Sequence, residues 1–313
     1  MSLCRTVASG QGDKYAPFSI GPSERLIHKG PIQPSLTLIG MPEITNEASA
    51  LDYIIQTIYE KCRIRLHNGK QSLIKARLGK RMRKTGYETL ESYVEFLRTQ
   101  ASEEEWTMVV DALTTNFTNF LREEDHFQFL IKQALPALLA KGQKRFQIWS
   151  AACSTGEEPY TMGFYLNEAF PLAEQWNWNI TASDISTKVL ATAKQAIYAQ
   201  ERINSIPPDW LRKYFQRGQA EWEGHYRVKS GISERVHFKQ INLIETYQHH
   251  EPFEVVFCRN VMIYFDRPTQ EALVQRLCKF MKPGGYLLIG HSESLNGLKL
   301  PLRCLKPSIY QLT

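Results

Sequence analysis

A cysteine framework is missing from this chain. Its six cysteines, Cys4, Cys62, Cys153, Cys258, Cys278 and Cys304, are scattered and form no CxxC pair. That excludes a disulfide-stapled scaffold and a cysteine-built zinc site, and it fits reduced thiols in a cytoplasm. Long apolar runs are missing too. No stretch approaches the roughly 18 residues that cross a bilayer, and the first residues lack the basic-then-apolar order of a signal peptide. The expectation is a cytoplasmic protein without membrane insertion. No self-similarity recurs at a period of about 20 to 50 residues, which argues against a solenoid or propeller.

Acidic residues are absent from one long segment. Lys61 to Lys84 holds ten Lys and Arg with no Asp or Glu. Taking those ten from the chain's 38 basic residues leaves 28 against 32 acidic ones, so the net charge of +6 becomes −4 elsewhere. The basic character is one patch on an otherwise mildly acidic protein. Gln71 to Lys84 fits a helix with Ile74, Leu78 and Met82 on one side and Arg77, Lys80, Arg81 and Lys84 on another. Such a side is either a face for an acidic partner or merely solvated. Aromatics for base stacking are missing there, so nucleic acid is not the expected partner.

What is present is a 313-residue chain with 43% hydrophobic content, enough for one large core or two smaller ones. Residues 1–47 carry scattered Gly, Pro and Ser without periodicity and are expected to form a flexible extension. Residues 48–141 read as a helical domain, with Leu51, Ile54, Ile55 and Ile58 at three- and four-residue spacing. Over 142–313, short apolar runs alternate with amphipathic stretches: RFQIWSAA, EPYTMGFYLNEAF, WNITASDI and STKVLATAKQAIY. FEVVFCR and GYLLIGH then flank a helix over Pro268–Met281, and a strand near Ser308–Leu312 closes the chain. The fold class is α/β: an N-terminal helical domain followed by a doubly wound, Rossmann-like sheet. In a longer insertion, DWLRKYFQ reads as helix and HYRVKSGISERVHFKQINL as strands around a Ser-Gly turn. A small antiparallel subdomain is expected there, at about 217–240.

Ligands of such sheets collect at the carboxyl ends of the strands. Residues 148–160, IWSAACSTGEEPY, read as a buried strand, a small-residue turn and a helix start with a first-turn proline. A turn built for pyrophosphate offers amide donors, whereas Glu157 and Glu158 repel phosphate and favour a ligand with an amino group. The loop therefore points to a cationic, nucleoside-like ligand. The next strand ends at Asp184, placed either to accept hydrogen bonds from both hydroxyls of a ribose or to cap the STKVLATA helix. Asn242-Leu243 and Arg259-Asn260 follow later strands, where they either hold a base or the ligand's tail or are ordinary turn residues. Between the domains, Asn116, Thr118 and Arg122 of ALTTNFTNFLREEDHF either close the pocket from above or belong to a capped helix with a solvated arginine.

Two further signals are set aside. Gly290-His291-Ser292-Glu293-Ser294 begins like a nucleophile elbow but lacks its final glycine, so a serine hydrolase is not expected. His249-His250 and Glu123-Glu124-Asp125-His126 offer metal-ligating groups, yet adjacent residues rarely chelate one ion, and no metal is expected.

Taken together, TTNFTNFLRE, WSAACSTGEEPYT, ASDIS, INL, FCRNVMIYFD and LLIGHSES resemble the chemotaxis receptor methyltransferase family, CheR, in wording and order, from about residue 48 to 310. The resemblance implies a class I methyltransferase that uses S-adenosylmethionine to methylate glutamate side chains of methyl-accepting chemotaxis receptors for sensory adaptation. The products would be glutamyl methyl esters and S-adenosylhomocysteine. It implies cofactor contacts at Asn116, Thr118, Arg122, Glu158, Asp184, Asn242, Leu243, Arg259 and Asn260, and it places Arg122 and Tyr264 near the transferred methyl. The family's basic docking helix matches Lys75, Arg77, Lys80, Arg81, Arg83 and Lys84. Departures are Phe117, where Glu or Leu is frequent, and Phe120-Leu121, where Phe-Phe is common. RGQAEWEG keeps Gly218 and Gly224 but has Ala220 between them, which leaves docking of a receptor C-terminal peptide open. A nucleic-acid methyltransferase would share the fold, and a non-catalytic adaptor would be free to lose Arg122 or Tyr264; both residues are present.

Overall fold

The computed structural model describes residues 44–66, 71–140, 145–170, 177–248 and 251–313. Most of the expected N-terminal extension and the His249-His250 pair lie outside the described residues. Asn46 opens the first helix through a reciprocal cap: its side chain accepts from the Ser49 amide at 3.0 Å, and its own amide donates to Ser49 Oγ at 3.1 Å. Helices α1 (Glu47–Cys62), α2 (Gln71–Thr85), α3 (Leu90–Thr99) and α4 (Glu103–Leu113) form the helical layer. Their apolar stripes share one core that includes Leu51, Ile54, Ile58, Ile74, Leu78, Tyr93 and Val109. Thr89 and Ser102 cap α3 and α4 in the usual way.

After an irregular segment, α5 (Glu124–Phe129) runs through a π-helical turn (Leu130–Ala134) into α6 (Leu135–Leu139). The alternating region follows as β1 (Arg145–Ala151), α7 (Glu157–Ala169), β2 (Asn177–Asp184) and α8 (Thr187–Gln195). Next come β3 (Ile197–Ala199), α9 (Pro208–Tyr214), β4 (Phe215–Arg217), β5 (His225–Val228), α10 (Ser230–Ser233) and β6 (Val236–Gln240). The chain ends with β7 (Phe253–Cys258), α11 (Arg267–Lys279), β8 (Met281–Ile289), β9 (Leu302–Lys306) and β10 (Ile309–Leu312). The seven-stranded sheet has the order β6-β2-β1-β7-β8-β10-β9. The strands from β6 to β8 pair in parallel, while β10 is antiparallel to both its neighbours. Connections diverge at β1, between β2 and β7, and the crevice beyond that point is where an open sheet takes its ligand. Every residue of β7 is buried, as a central strand covered on both faces requires.

The small antiparallel sheet differs from the expected 217–240. Its order is β3-β5-β4, so it runs from Ile197 to Val228. Ser230-Gly231 belongs to α10 rather than a hairpin turn, and Val236–Gln240 pairs in parallel with β2 as the edge of the main sheet. Three-residue strands carry too little alternation to register in a sequence, and alternation does not name a strand's partner. The five-residue edge strand β9 has four exposed residues, so it carries no buried face for a sequence pattern to show. Among the described residues, no helix is long and apolar enough to cross a membrane.

Candidate active site

The turns after β1, β2, β6 and β7 meet the end of the helical layer around one cleft. Asn116, Thr118, Arg122, Glu158, Asp184, Asn242, Leu243, Arg259, Asn260 and Tyr264 all line it. The turn from β1 into α7 is tight because Ala152, Ser154 and Gly156 all have positive φ, of 67°, 50° and 95°. A Cβ at Gly156 would also lie 2.9 Å from both Ala193 Cβ and the Tyr198 hydroxyl, so only glycine fits. The strained Ser154 is held at both ends: its amide donates to Asp184 Oδ2 at 2.9 Å and its hydroxyl to the Asn116 carbonyl at 2.8 Å.

Asp184 accepts a second amide, from Ser186, at 3.0 Å. The helix-cap role belongs instead to Ser186, whose side chain accepts from the Val189 amide. Burial pushes the Asp184 carboxyl above its ordinary value, and the two amides pull part of that back. With one amide on each oxygen, acceptor capacity remains on both for a ligand in the cleft. Glu157 is fully buried on the other side of α7, paired with Arg202, which leaves Glu158 as the carboxylate on the cleft.

Glu158 accepts from Ser150 Oγ at 2.6 Å and pairs with Arg259 Nη1 at 3.0 Å. Burial raises its carboxyl above the usual range, and Arg259 offsets this only in part. The Arg259 side chain is 1% exposed. It also pairs with Glu123 at 2.9 Å and donates to the Arg122 carbonyl at 2.6 Å. Its guanidinium is committed to protein groups, so its role is to tie together the carboxylates around the cleft. Asn260, at φ 57°, has its amide and that of Met262 gripped by Glu293, at 2.9 and 2.7 Å. Glu293 also takes the Gly290 amide at 2.6 Å. The Gly-His-Ser-Glu-Ser run is thus a carboxylate clamp on the loop after β7.

At the mouth, Arg122 donates to the Phe117 carbonyl at 3.1 Å and the Tyr264 hydroxyl to the Thr115 carbonyl at 3.4 Å. Asn242 spends its amide nitrogen on the Lys61 carbonyl, at 2.8 Å, and on Glu245, at 2.6 Å, joining α1 to the sheet domain. The lining fits an adenosyl amino acid in kind: carboxylate acceptors at Asp184 and Glu158 beside an apolar wall of Ile185, Ile241 and Leu243.

Residues 116–310 match the family described as CheR methyltransferase, SAM binding domain, and residues 49–114 match CheR methyltransferase, all-alpha domain. The chain belongs to the CheR methyltransferase family. It is 37% identical over 261 residues to the chemotaxis protein methyltransferase of Salmonella typhimurium, covering 83% of this chain and 88% of that one. The Escherichia coli chemotaxis protein methyltransferase is 36% identical over 261 residues, covering 83% and 89%. Chemotaxis protein methyltransferase 1 of Pseudomonas aeruginosa is 38% identical over 246 residues, covering 76% and 87%. The protein is an S-adenosylmethionine-dependent methyltransferase of chemotaxis.

In this CheR chain the basic helix α2 divides into two kinds of residue. Arg77 reaches the cleft and donates to the Leu113 carbonyl at 2.7 Å, and Lys75 pairs with Glu47. Arg81, expected on the docking face, is 18% exposed and forms a bidentate pair with buried Glu105 of α4. That is a correction: the partner sits in another helix, out of reach of helical spacing. Lys80, Arg83 and Lys84 remain as the exposed basic group.

Glu123, His126 and His291 bring one ligand atom each within 4.8 Å of one another. Arg259 already holds Glu123, so a cation there would meet a fixed positive charge. Burial, then Arg259, pushes His126 down to about 4. Glu123 and Glu293 are the site residues that sequence reasoning missed as structural ties. Their partners lie far off in the chain, and nothing local signals them.

Proposed function

We propose that this protein methylates glutamate side chains of methyl-accepting chemotaxis receptors in the cytoplasm, forming glutamyl methyl esters and S-adenosylhomocysteine. The observation that carries this reading is the electrical division of the cleft. Its floor presents two carboxylates, Asp184 and Glu158, against one buried cation, Arg259, while Arg65 and Arg77 from the helical layer and Arg122 from the segment after it line the other side. An acidic floor favours a cationic cofactor, and a basic mouth favours an anionic acceptor.

S-adenosylmethionine, when bound, supplies an electrophilic methyl on a sulfonium, so transfer to a carboxylate oxygen requires no proton removal. A glutamate with an unperturbed pKa of about 4.3 is already ionised at neutral pH. The chain's task is alignment and exclusion of water. Arg122, steadied by the Phe117 carbonyl, draws the acceptor carboxylate into line, and the Tyr264 hydroxyl donates to it in exchange for the long bond to Thr115. Asp184, fixed by two amides, holds the cofactor end still while the acceptor arrives.

The exposed Lys80, Arg83 and Lys84 supply the docking face for an acidic receptor helix. A receptor C-terminal peptide would add as a strand on β4, an edge of the small sheet, beside Phe215, Arg217 and Gly218. Incubation with radiolabelled cofactor and either receptor-containing membranes or nucleic acid tests the reading. Base-labile label on the receptor is expected. Label on nucleic acid, or none on the receptor, would refute it.

A further inference from the structure

Among the described residues, the exposed large hydrophobics are Leu73, Met108, Phe117, Ile263 and Leu305. Leu73 and Phe117 both line the cleft, and Ile263 directly precedes Tyr264, which also lines it. Phe117 is 73% exposed, Ile263 50% and Leu73 42%. Single exposed apolar residues are ordinary, but Leu73 and Phe117 stand on one cleft, where an acceptor must enter, and apolar side chains grouped at a site mark a contact surface. Phe117 is also the residue whose carbonyl holds Arg122, so its main chain is fixed by the acceptor-facing arginine while its ring stands in solvent.

Helix α2 extends the surface in one direction. Leu73, Arg77, Lys80 and Lys84 follow at four-, three- and four-residue intervals, one stripe of a helix. Leu73 and Arg77 are at the cleft, and Lys80 and Lys84 are exposed beyond it. The stripe spans about 16 Å, close to three helical turns. A substrate helix lying along it would present its acceptor glutamate to Arg122, an apolar neighbour to the lip, and an acidic residue some three turns away to Lys84.

We propose that Phe117, supported by Leu73, is a specificity-determining residue that selects acceptor glutamates with an apolar side chain one helical turn away on the substrate helix. The inference rests on the reading of the protein as a receptor glutamate methyltransferase. Packing that neighbour against the lip buries apolar area on both partners and closes the mouth to water as the acceptor docks. A polar neighbour forfeits the burial and leaves the ring wet.

The test uses the full chain with a receptor cytoplasmic fragment that retains one acceptor glutamate, its neighbour one turn away being either Leu or Ser. Base-labile ester formation is followed with wild type, Phe117→Ser and Phe117→Leu, and cofactor affinity is measured by calorimetry. Wild type is expected to prefer the Leu fragment by about tenfold in kcat/KM, the order of a small apolar contact in a specificity site. Phe117→Ser should lose that preference with cofactor affinity unchanged, and Phe117→Leu should keep most of it. The same preference in Phe117→Ser as in wild type, or no preference in wild type, overturns the inference while leaving receptor methylation intact. No ester on either fragment from cofactor-bound wild type overturns the underlying function as well.

Discussion

At the floor of the cleft, Arg259 is 1% exposed and tied to Glu123, Glu158 and the Arg122 carbonyl. At the mouth, Tyr264 makes a 3.4 Å hydrogen bond, Arg122 is held by a main-chain carbonyl, and Phe117 stands 73% exposed. On the floor, Ala152, Ser154 and Asn260 line the cleft with positive φ, and toward the mouth the same conformation recurs only at Leu121 and Glu123, on either side of Arg122, among the described residues of the cleft segment 114–123. Such backbone persists only where many contacts fix it. The difference teaches a division of labour. A floor built before the ligand arrives suits a small cofactor of constant shape, whereas a lightly held mouth suits a protein acceptor that comes and goes.

The comparison breaks most completely if Arg259 is removed. Arg259→Ala leaves Glu123 and Glu158 buried without their shared cation and is expected to cost about 3–5 kcal/mol of stability, read by urea denaturation. A near-normal midpoint would mean that the floor is not held by this tie. Next in size, Asp184→Ala should weaken cofactor binding by roughly ten- to a hundredfold, the worth of hydrogen bonds to a charged group. Unchanged calorimetric affinity would remove Asp184 from the cofactor site. Tyr264→Phe should act on the other region alone: turnover on receptor falls by up to about tenfold while cofactor affinity holds. Parallel loss of both would erase the distinction between floor and mouth.

Smaller still, Lys80→Glu with Lys84→Glu should slow receptor methylation severalfold at low salt, a loss that fades toward physiological salt because the charges are exposed. Salt-independent loss would point to misfolding instead. The smallest effect separates the helical layer from the sheet domain by pH. Burial alone would raise Glu105, but hydrogen bonds from Arg81 and Tyr93 outweigh it and hold the carboxyl below its ordinary value. A depressed carboxylate contributes stability that is complete above its unfolded pKa of about 4.3 and is lost as pH falls through the folded value. Asp184, raised by burial, runs the other way, since protonating it favours the folded floor. Hydrogen-exchange protection below about pH 4.3 should therefore fall in α2 and α4 before it falls in β1 and β2. The reverse order would contradict the assignment.

The ends of β1, β2 and β7 were legible because each follows a largely buried apolar run, with Glu158, Asp184 and Asn260 at fixed places after them, whereas Asn242 follows β6, of which only Val236 is buried. Arg81 was misplaced because helical spacing groups it with Arg77, Lys80 and Lys84, while its partner Glu105 belongs to α4. The clamps made by Glu123 and Glu293 stayed hidden because a carboxylate near a turn looks solvated until the chain brings amides to it. The small sheet was displaced along the chain because β3 and β4 are three residues long. Short-range pattern marks where chemistry sits, and long-range contact decides which side chains are free to perform it.

Where the transferred methyl comes to rest decides most directly what this protein does. Receptor modified in vitro by this protein and labelled cofactor, digested and sequenced by fragmentation mass spectrometry, should carry the methyl on glutamate side chains as an ester released by mild alkali. A methyl on nitrogen, on another side chain or on co-purified nucleic acid would contradict it.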